Sequence, residues 1–446
     1  MTMKNKILCG YADADITPKM PLYLDGFAAR DGKSTGVRDP LYLKTLYFKD
    51  SDDEACIILV FDMIGFGKEL SQRIKAAATE VSGVSDERVM LLATHTHSGP
   101  AAGVLFGLPQ CDEYWDDVIS KVKEAVKVAM GAKREVGLSL DEYPISLGIN
   151  RREIVDGKVV IGKNPEKPCD NSMRVLRFTD GGKTVGALCN ASCHPVNHGA
   201  ENMRITADYP SRLHAYANGK DDLFALFTNS ACGNINPLRP FDDDAEANLN
   251  ACGDELVRVL ERAISDTAKL VDNVKLTCLY DTVNLPIELK FDLETAKDKY
   301  NYWKKKLETE TDANVLYRAK VYSNWYRMQI EALEKGDRPS VDIPIRLFSF
   351  GDIAIISLPF ELFCETRSRL CEAFERICGK RLIVCGYADH VRSYLPDALA
   401  LSEGGYETES ACVWYAIPGK YTPDSESTLL SACEKLFMSL SGKQNE

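Results

Sequence analysis

The sequence predicts an α/β fold of two layered mixed β-sheets flanked by helices, with one helical hairpin excursion outside them. Three observations carry this expectation. Residues 55 to 97 read as strand, helix, strand; apolar runs rich in β-branched and aromatic residues recur along the rest of the chain; and one long charged segment has helical periodicity with almost no Gly or Pro. Taken in order, "ACIILVFDMIGF" (55 to 66) is a buried strand ending near Asp62, "SQRIKAAATEVSG" (71 to 83) has the spacing of an amphipathic helix, and "RVMLLATHTH" (88 to 97) is a second buried strand. Together they form a β-α-β unit. Further strands are expected at 172 to 179, 184 to 192, 223 to 228, 344 to 350, 352 to 357 and 381 to 386. The segment 291 to 335 is expected to form two helices joined near "TETDAN". Its aromatics, Tyr300, Tyr302, Trp303, Tyr317, Tyr322, Trp325 and Tyr326, are assigned to packing between those helices rather than to a cofactor stripe. With no internal repeat, low-complexity tract or flexible linker, residues 1 to 446 are read as a single catalytic domain.

Composition narrows the function classes. Lys plus Arg number 54 against 66 Asp plus Glu, a formal net charge of −12, and no run of five basic residues occurs. A nucleic-acid partner is therefore not expected. No stretch approaches the roughly 18 to 20 apolar residues of a membrane span, and the N-terminal apolar stretch is too short for a signal peptide. The 15 cysteines are odd in number and contain no C-x-x-C pair, which suits a reducing compartment. The expected location is the cytoplasm. Oligomeric state is not legible.

The chemistry gathers at strand ends. "LLATHTHSGP" (91 to 100) places His95 and His97 just past an apolar strand, although the chain has only six histidines. In a regular strand, residues two apart share a face, so both rings could border one pocket with Cα atoms about 6.5 to 7 Å apart. Taken alone, the pair reads first as a strand end whose imidazoles satisfy backbone groups, ahead of a metal site. "NASCHPVNHGAENMRITADYP" (190 to 210) ends a second strand at His194. Pro195 argues against a helix carrying His194 and His198 together. "TNSACGNINPLRP" (228 to 240) turns at Gly233, Asn234 and Pro237, and "IISLPFELF" (355 to 363) carries Glu361 in an apolar setting where a buried carboxylate needs a partner. In "GYADHVRSYLPDALALSEGGYE" (386 to 407), tyrosines at 387, 394 and 406 flank Pro396 and the pair Gly404 and Gly405.

In combination, and in this order, THTHSGP at 94 to 100, His194-Pro195 with Ala-Asp-Tyr-Pro downstream, Gly-Asn-x-x-Pro at 233 to 237, Leu-Pro-x-Glu at 358 to 361, Tyr-Leu-Pro at 394 to 396 and Glu-Gly-Gly-Tyr-Glu at 403 to 407 resemble the neutral/alkaline non-lysosomal ceramidase family. "GYADADITP", "LDGF" and "NRR" at 150 to 152 extend the resemblance from about residue 10 to about 420. It implies a zinc amidohydrolase that splits the N-acyl bond of ceramide or a related lipid-like N-acylated small molecule. By similarity, Zn²⁺ is held by His95, His194, Glu361 and Tyr394. His97 is the neighbouring acid/base, Arg151 and Tyr406 face the scissile amide, and Gly26 and Asn234 contact the substrate. The immunoglobulin-like C-terminal domain and secretion signal of full-length members are not expected here. Asp389, His390 and Val391 stand where the family often has Asn and an aromatic. The alternative reading is a catalytically silent or phosphoester-directed relative that keeps the fold, with or without the metal, and has only Asp62, Asp208 and His198 to build a second metal cluster.

Overall fold

A continuous apolar run folds as a strand buried on both faces, because each face has its own layer to cover it. In Ala55–Phe61, Ile57, Leu59 and Phe61 face one core while Ile58 and Val60 face another. The same alternation separates Ala354 and Ile356 from Ile353 and Ile355, and Leu382 and Val384 from Ile383 and Cys385. The computed structural model describes residues 6–239, 244–336 and 338–442.

An eight-stranded sheet runs in the order Phe224–Asn229, Lys183–Ala191, Ser172–Asp180, Arg134–Pro144, Ile7–Asp15, Tyr42–Lys49, Ala55–Phe61 and Val89–Ala93. A five-stranded sheet runs Arg381–Cys385, Ile353–Ser357, Ser340–Phe350, Leu276–Glu288 and Lys420–Tyr421. Both sheets are mixed. The outer pairs of the larger one and the Ile353–Ser357/Arg381–Cys385 pair of the smaller are parallel, and the other pairs are antiparallel. One core lies between the sheets, where Phe48 meets Phe350 with ring centroids 4.9 Å apart. Helices cover the outer faces. Pro210–Asn218 and Ala245–Ser265 pack on the larger sheet through Leu213, Leu249, Leu256 and Leu260, and Lys68–Ser82 and Asp112–Gly131 cover its other half. Cys364–Cys378 and Ser425–Ser441 meet through Phe374 and Phe437 over the smaller sheet. No helix among the described residues is long and apolar enough to cross a membrane. The fifteen cysteines are all free thiols.

The expected β-α-β unit is present, with Ala55–Phe61 and Val89–Ala93 parallel and adjacent. The helical excursion is also present as Leu293–Thr309 and Ala313–Lys335, each opened by an aspartate whose side chain accepts a backbone N–H, Asp292 from Thr295 and Asp312 from Val315. Trp303 and Tyr322 stack between the two helices at 4.8 Å. The other aromatics divide differently from the expectation. Trp325 donates its indole N–H to the Ile417 carbonyl at 2.6 Å, Tyr317 lies 6.1 Å from Trp414, and Tyr302 is 57% exposed. The inner helix uses its aromatics to dock the hairpin on the body, because an aromatic with a polar tip can bury its ring and still satisfy a backbone carbonyl.

Candidate active site

Strand carboxyl ends from both sheets converge on one place, the usual ligand position in open α/β sheets. Val89–Ala93 leads to His95, Lys183–Ala191 to His194, Ile353–Ser357 to Glu361 and Arg381–Cys385 to the loop that ends at Tyr394. Backbone bonds stitch the four ends together: Glu361 N–H donates to Ser393 at 3.0 Å, Gly233 N–H to Leu362 at 2.7 Å, and Gly386 N–H to Asn229 at 3.2 Å. Asn229 is the clamp between the two histidine segments. Its amide donates to the carbonyls of Thr94 at 3.2 Å and Cys193 at 3.0 Å, the residues just before His95 and His194. Glu361 and Tyr394 are paired neighbours on two short parallel strands. Gly233 is required by close approach, since a Cβ there would lie 2.5 Å from the Glu361 carbonyl oxygen.

His95 sits at φ 70°, a left-handed conformation that a non-glycine residue rarely holds and that functional sites often store. The strand has already ended at Ala93. The chain turns there, so the two rings converge: His97 Nε2 lies 3.2 Å from His95 Nε2. His95, His97 and His194 each point a nitrogen into a group whose members all lie within 4.8 Å of one another, the one such metal-competent grouping among the described residues. Glu361 Oε2 joins it at 3.0 Å from His194 Nε2 and 3.3 Å from His95 Nε2. Glu361 is 1% exposed. Burial pushes its carboxyl up, but His95 and His194 outweigh that and hold it well below the ordinary carboxylate range. Burial, followed by the charge of Arg151, pushes His194 down to about 4.

The far side of each ring decides its tautomer. His95 Nδ1 lies 2.6 Å from the Ile64 carbonyl, and His194 Nδ1 lies 2.7 Å from that of Cys232 and 3.0 Å from that of Ile235. A carbonyl only accepts, so Nδ1 carries a hydrogen in both rings and each Nε2 faces the shared centre. His97 differs. Its Nδ1 is buried with no partner among the described residues.

A cavity of about 270 Å³ opens over this centre, lined by Gly26, Phe27, His97, Glu361, Tyr394 and Tyr406 among others. Gly26, at φ 109°, leaves room for the His97 ring, which a Cβ would approach to 2.6 Å. Tyr394 and Tyr406 meet edge to face at 5.6 Å. Arg151 lies behind them, its guanidinium 5.3 Å from the Tyr394 ring, 3.3 Å from His194 Nε2 and 2.9 Å from Glu407. Asn234 is held out of the cavity wall. Its side chain bonds the Cys364 N–H at 3.1 Å and Glu365 at 2.8 Å, and its carbonyl accepts the Arg151 N–H at 2.8 Å, so it frames Arg151 instead of lining the cavity.

Several residues of the centre have no role assigned from the sequence. Tyr415 donates its hydroxyl to Glu361, Tyr387 stacks on His95 with centroids 3.9 Å apart, Glu407 receives both Arg151 and Arg152, and Arg318 reaches the cavity from the helical hairpin. Tyr387 and Glu407 lie inside the quoted 386–407 stretch, whereas Tyr415 and Arg318 lie in segments where no motif marks them. Asp62, Asp208 and His198 do not assemble: Asp62 accepts the Tyr42 N–H, Asp208 holds Asn197 and His198 faces Glu246. His390 joins neither the donor group nor the cavity wall; its backbone bridges to Phe66.

Residues 7–239 match the family described as neutral/alkaline non-lysosomal ceramidase, N-terminal. The chain belongs to that family. Among solved structures, the neutral ceramidase from Pseudomonas aeruginosa is similar over 99% of this chain and 75% of that one, with a TM-score of 0.75 at 18% identity. A structure described as ceramidase complexed with C2 is similar over 98% of this chain and 74% of its own, with a TM-score of 0.73 at 16% identity. No curated protein sequence matches. The architecture of two layered mixed sheets with helices outside is thus the ceramidase fold, and the family is that of ceramide hydrolases.

Proposed function

We propose that this ceramidase-family chain is a zinc-dependent amidohydrolase working as one catalytic domain on an N-acyl amide, ceramide or a related N-acylated small molecule. One observation carries the reading. Two imidazoles with Nδ1 hydrogens committed to carbonyls turn their Nε2 atoms onto the same oxygen of a buried carboxylate, His95 at 3.3 Å and His194 at 3.0 Å. Nitrogens converging on a buried carboxylate favour a cation held among them, and two imidazoles with a carboxylate are a donor set that suits zinc. His95, His194 and Glu361 would hold the ion, with the Tyr394 hydroxyl as the fourth ligand. Bound there, Zn²⁺ supplies a Lewis acid for the amide carbonyl and acidifies a water toward a pKa of about 7.

The chain's own groups do the rest. His97 Nε2 faces the donor group and accepts a proton from the attacking water. The water oxygen bonds to the acyl carbon, the C–N bond breaks, and His97 returns the proton to the leaving amine, giving a carboxylic acid and a free amine. Arg151 is positioned by Glu407 and Asn234 to steady charge on the carbonyl oxygen, with Tyr406 on the cavity wall. The test is elemental analysis of the purified protein followed by an N-acyl substrate screen with and without a chelator. About one zinc per chain and amide cleavage that disappears with chelation and returns with Zn²⁺ are expected. A metal-free protein, or cleavage indifferent to the chelator, would refute the proposal.

A further inference from the structure

Arg318 lies on the inner helix of the hairpin, Ala313–Lys335, and lines the same cavity as His97, Glu361 and Tyr406. It is the one arginine or lysine among the cavity's described lining residues. The neighbouring charges on that helix are engaged: Lys320 donates to the Gly107 carbonyl at 3.1 Å and Arg327 pairs with Glu331. Arg318 has no hydrogen bond or ion pair to any described residue. A solvated arginine on a helix is ordinary; what sets this one apart is its mounting. Tyr317 beside it packs toward Trp414, itself a lining residue, and Trp325 is hydrogen-bonded to Ile417, so the helix holds Arg318 over the cavity.

The cavity's size and charge select a ligand. At about 270 Å³ it holds roughly nine water-sized groups of about 30 Å³ each. That suffices for an amide and its nearest substituents. The other charged or hydroxyl-bearing lining residues, His97, Glu361, Tyr394, Tyr406 and Tyr415, belong to the centre and the remaining described wall is apolar, so Arg318 is the cationic donor outside the centre. A guanidinium presents a planar fork of N–H donors matched to carboxylate or phosphate oxygens. On this wall it is a fixed positive charge that favours an anion.

We infer that Arg318 is a specificity residue that selects N-acyl amides bearing an anionic oxygen group, a carboxylate or a phosphate, within a few bonds of the scissile amide. The inference rests on the hydrolase reading above and adds the substrate's charge. Three probes with one acyl chain separate the sources: N-octanoylglycine, N-octanoyl-O-phosphoethanolamine and neutral N-octanoylethanolamine. The zinc-loaded wild type is expected to favour at least one anionic probe over the neutral one by about tenfold or more in kcat/KM, the scale of one hydrogen bond to a charged group. Arg318→Gln should lower that ratio by about tenfold, chiefly through KM, and Arg327→Gln, remote from the cavity, should leave it unchanged. Which anionic probe loses more identifies the group. A wild type that prefers the neutral probe, or a ratio untouched in Arg318→Gln, overturns the inference. If no probe is cleaved, the hydrolase reading fails and calorimetric titration decides this one separately. Anionic probes binding tenfold more weakly to Arg318→Gln uphold it, and equal binding to both proteins overturns it.

Discussion

Replacing His95 and His97 one at a time by alanine separates two roles that their shared location leaves entangled. Both Nε2 atoms sit in one group, 3.2 Å apart, so distance alone does not assign them. The opposite ring nitrogens do. His95 Nδ1 is anchored to the Ile64 carbonyl at 2.6 Å, the outer hydrogen bond that orients a metal-bound imidazole, whereas His97 Nδ1 has no hydrogen-bond partner among the described residues and its ring lacks that anchor. Losing only an outer partner typically weakens metal binding 10- to 100-fold, so His95→Ala, which removes the proposed ligand itself, should weaken zinc by at least about 100-fold, near 2.7 kcal/mol at 1.36 kcal/mol per decade. His97→Ala should keep near-stoichiometric zinc while the chemical step slows by roughly 10²- to 10⁴-fold, about 2.7 to 5.4 kcal/mol of barrier. The assay is zinc content after dialysis against a graded chelator, with single-turnover hydrolysis on the same samples. A His97→Ala protein that loses zinc while His95→Ala retains it would show that the tautomer argument assigns the roles backwards.

Three further outcomes concern the frame around the site. Phe48, fully buried between the sheets against Phe178 and Phe350, should destabilise the fold by about 3 to 5 kcal/mol on replacement by alanine, read by urea unfolding; a change under about 1 kcal/mol would mean the sheets do not pack there. Arg346→Ala should cost about 3 to 5 kcal/mol because it leaves the buried Asp389 carboxylate with only Lys75 at 3.6 Å, while the double variant Arg346→Met, Asp389→Asn should recover much of the loss; no recovery would argue against an uncompensated charge as the cause. Burial, then the nearby Lys44, pushes His214 down to about 3, so the folded protein keeps it neutral while the unfolded chain protonates it near 6.5. Below that pH the unfolded state binds the extra proton, so stability is full above pH 6.5 and falls as pH drops toward 3, by on the order of a few kcal/mol. Melting curves from pH 7.5 to 5 should show a falling Tm that His214→Gln flattens, and identical slopes in both proteins would refute the assignment.

What the sequence determined by itself is the part encoded by neighbours. Strands such as Ala55–Phe61 and Val89–Ala93 are legible because both faces are buried and the run is wholly apolar, and the hairpin helices because a Gly- and Pro-free segment keeps helical spacing. Tyr42–Lys49 and Leu276–Glu288 escape that reading. The first carries Lys44, whose ammonium is buried against the Ala225 carbonyl and His214, and the second leaves its middle exposed. Histidines just past apolar strands are local signals too, which is why His95, His97 and His194 stand out from the sequence. Only the tertiary structure decided that the strand ends of two different sheets meet. It also decided that Asn229 ties the His95 and His194 segments, that Tyr415 holds Glu361 from 54 residues away, and that Arg318 overhangs the cavity. Such pairings join residues far apart in sequence, and no periodicity records them because they are set by sheet packing and loop closure.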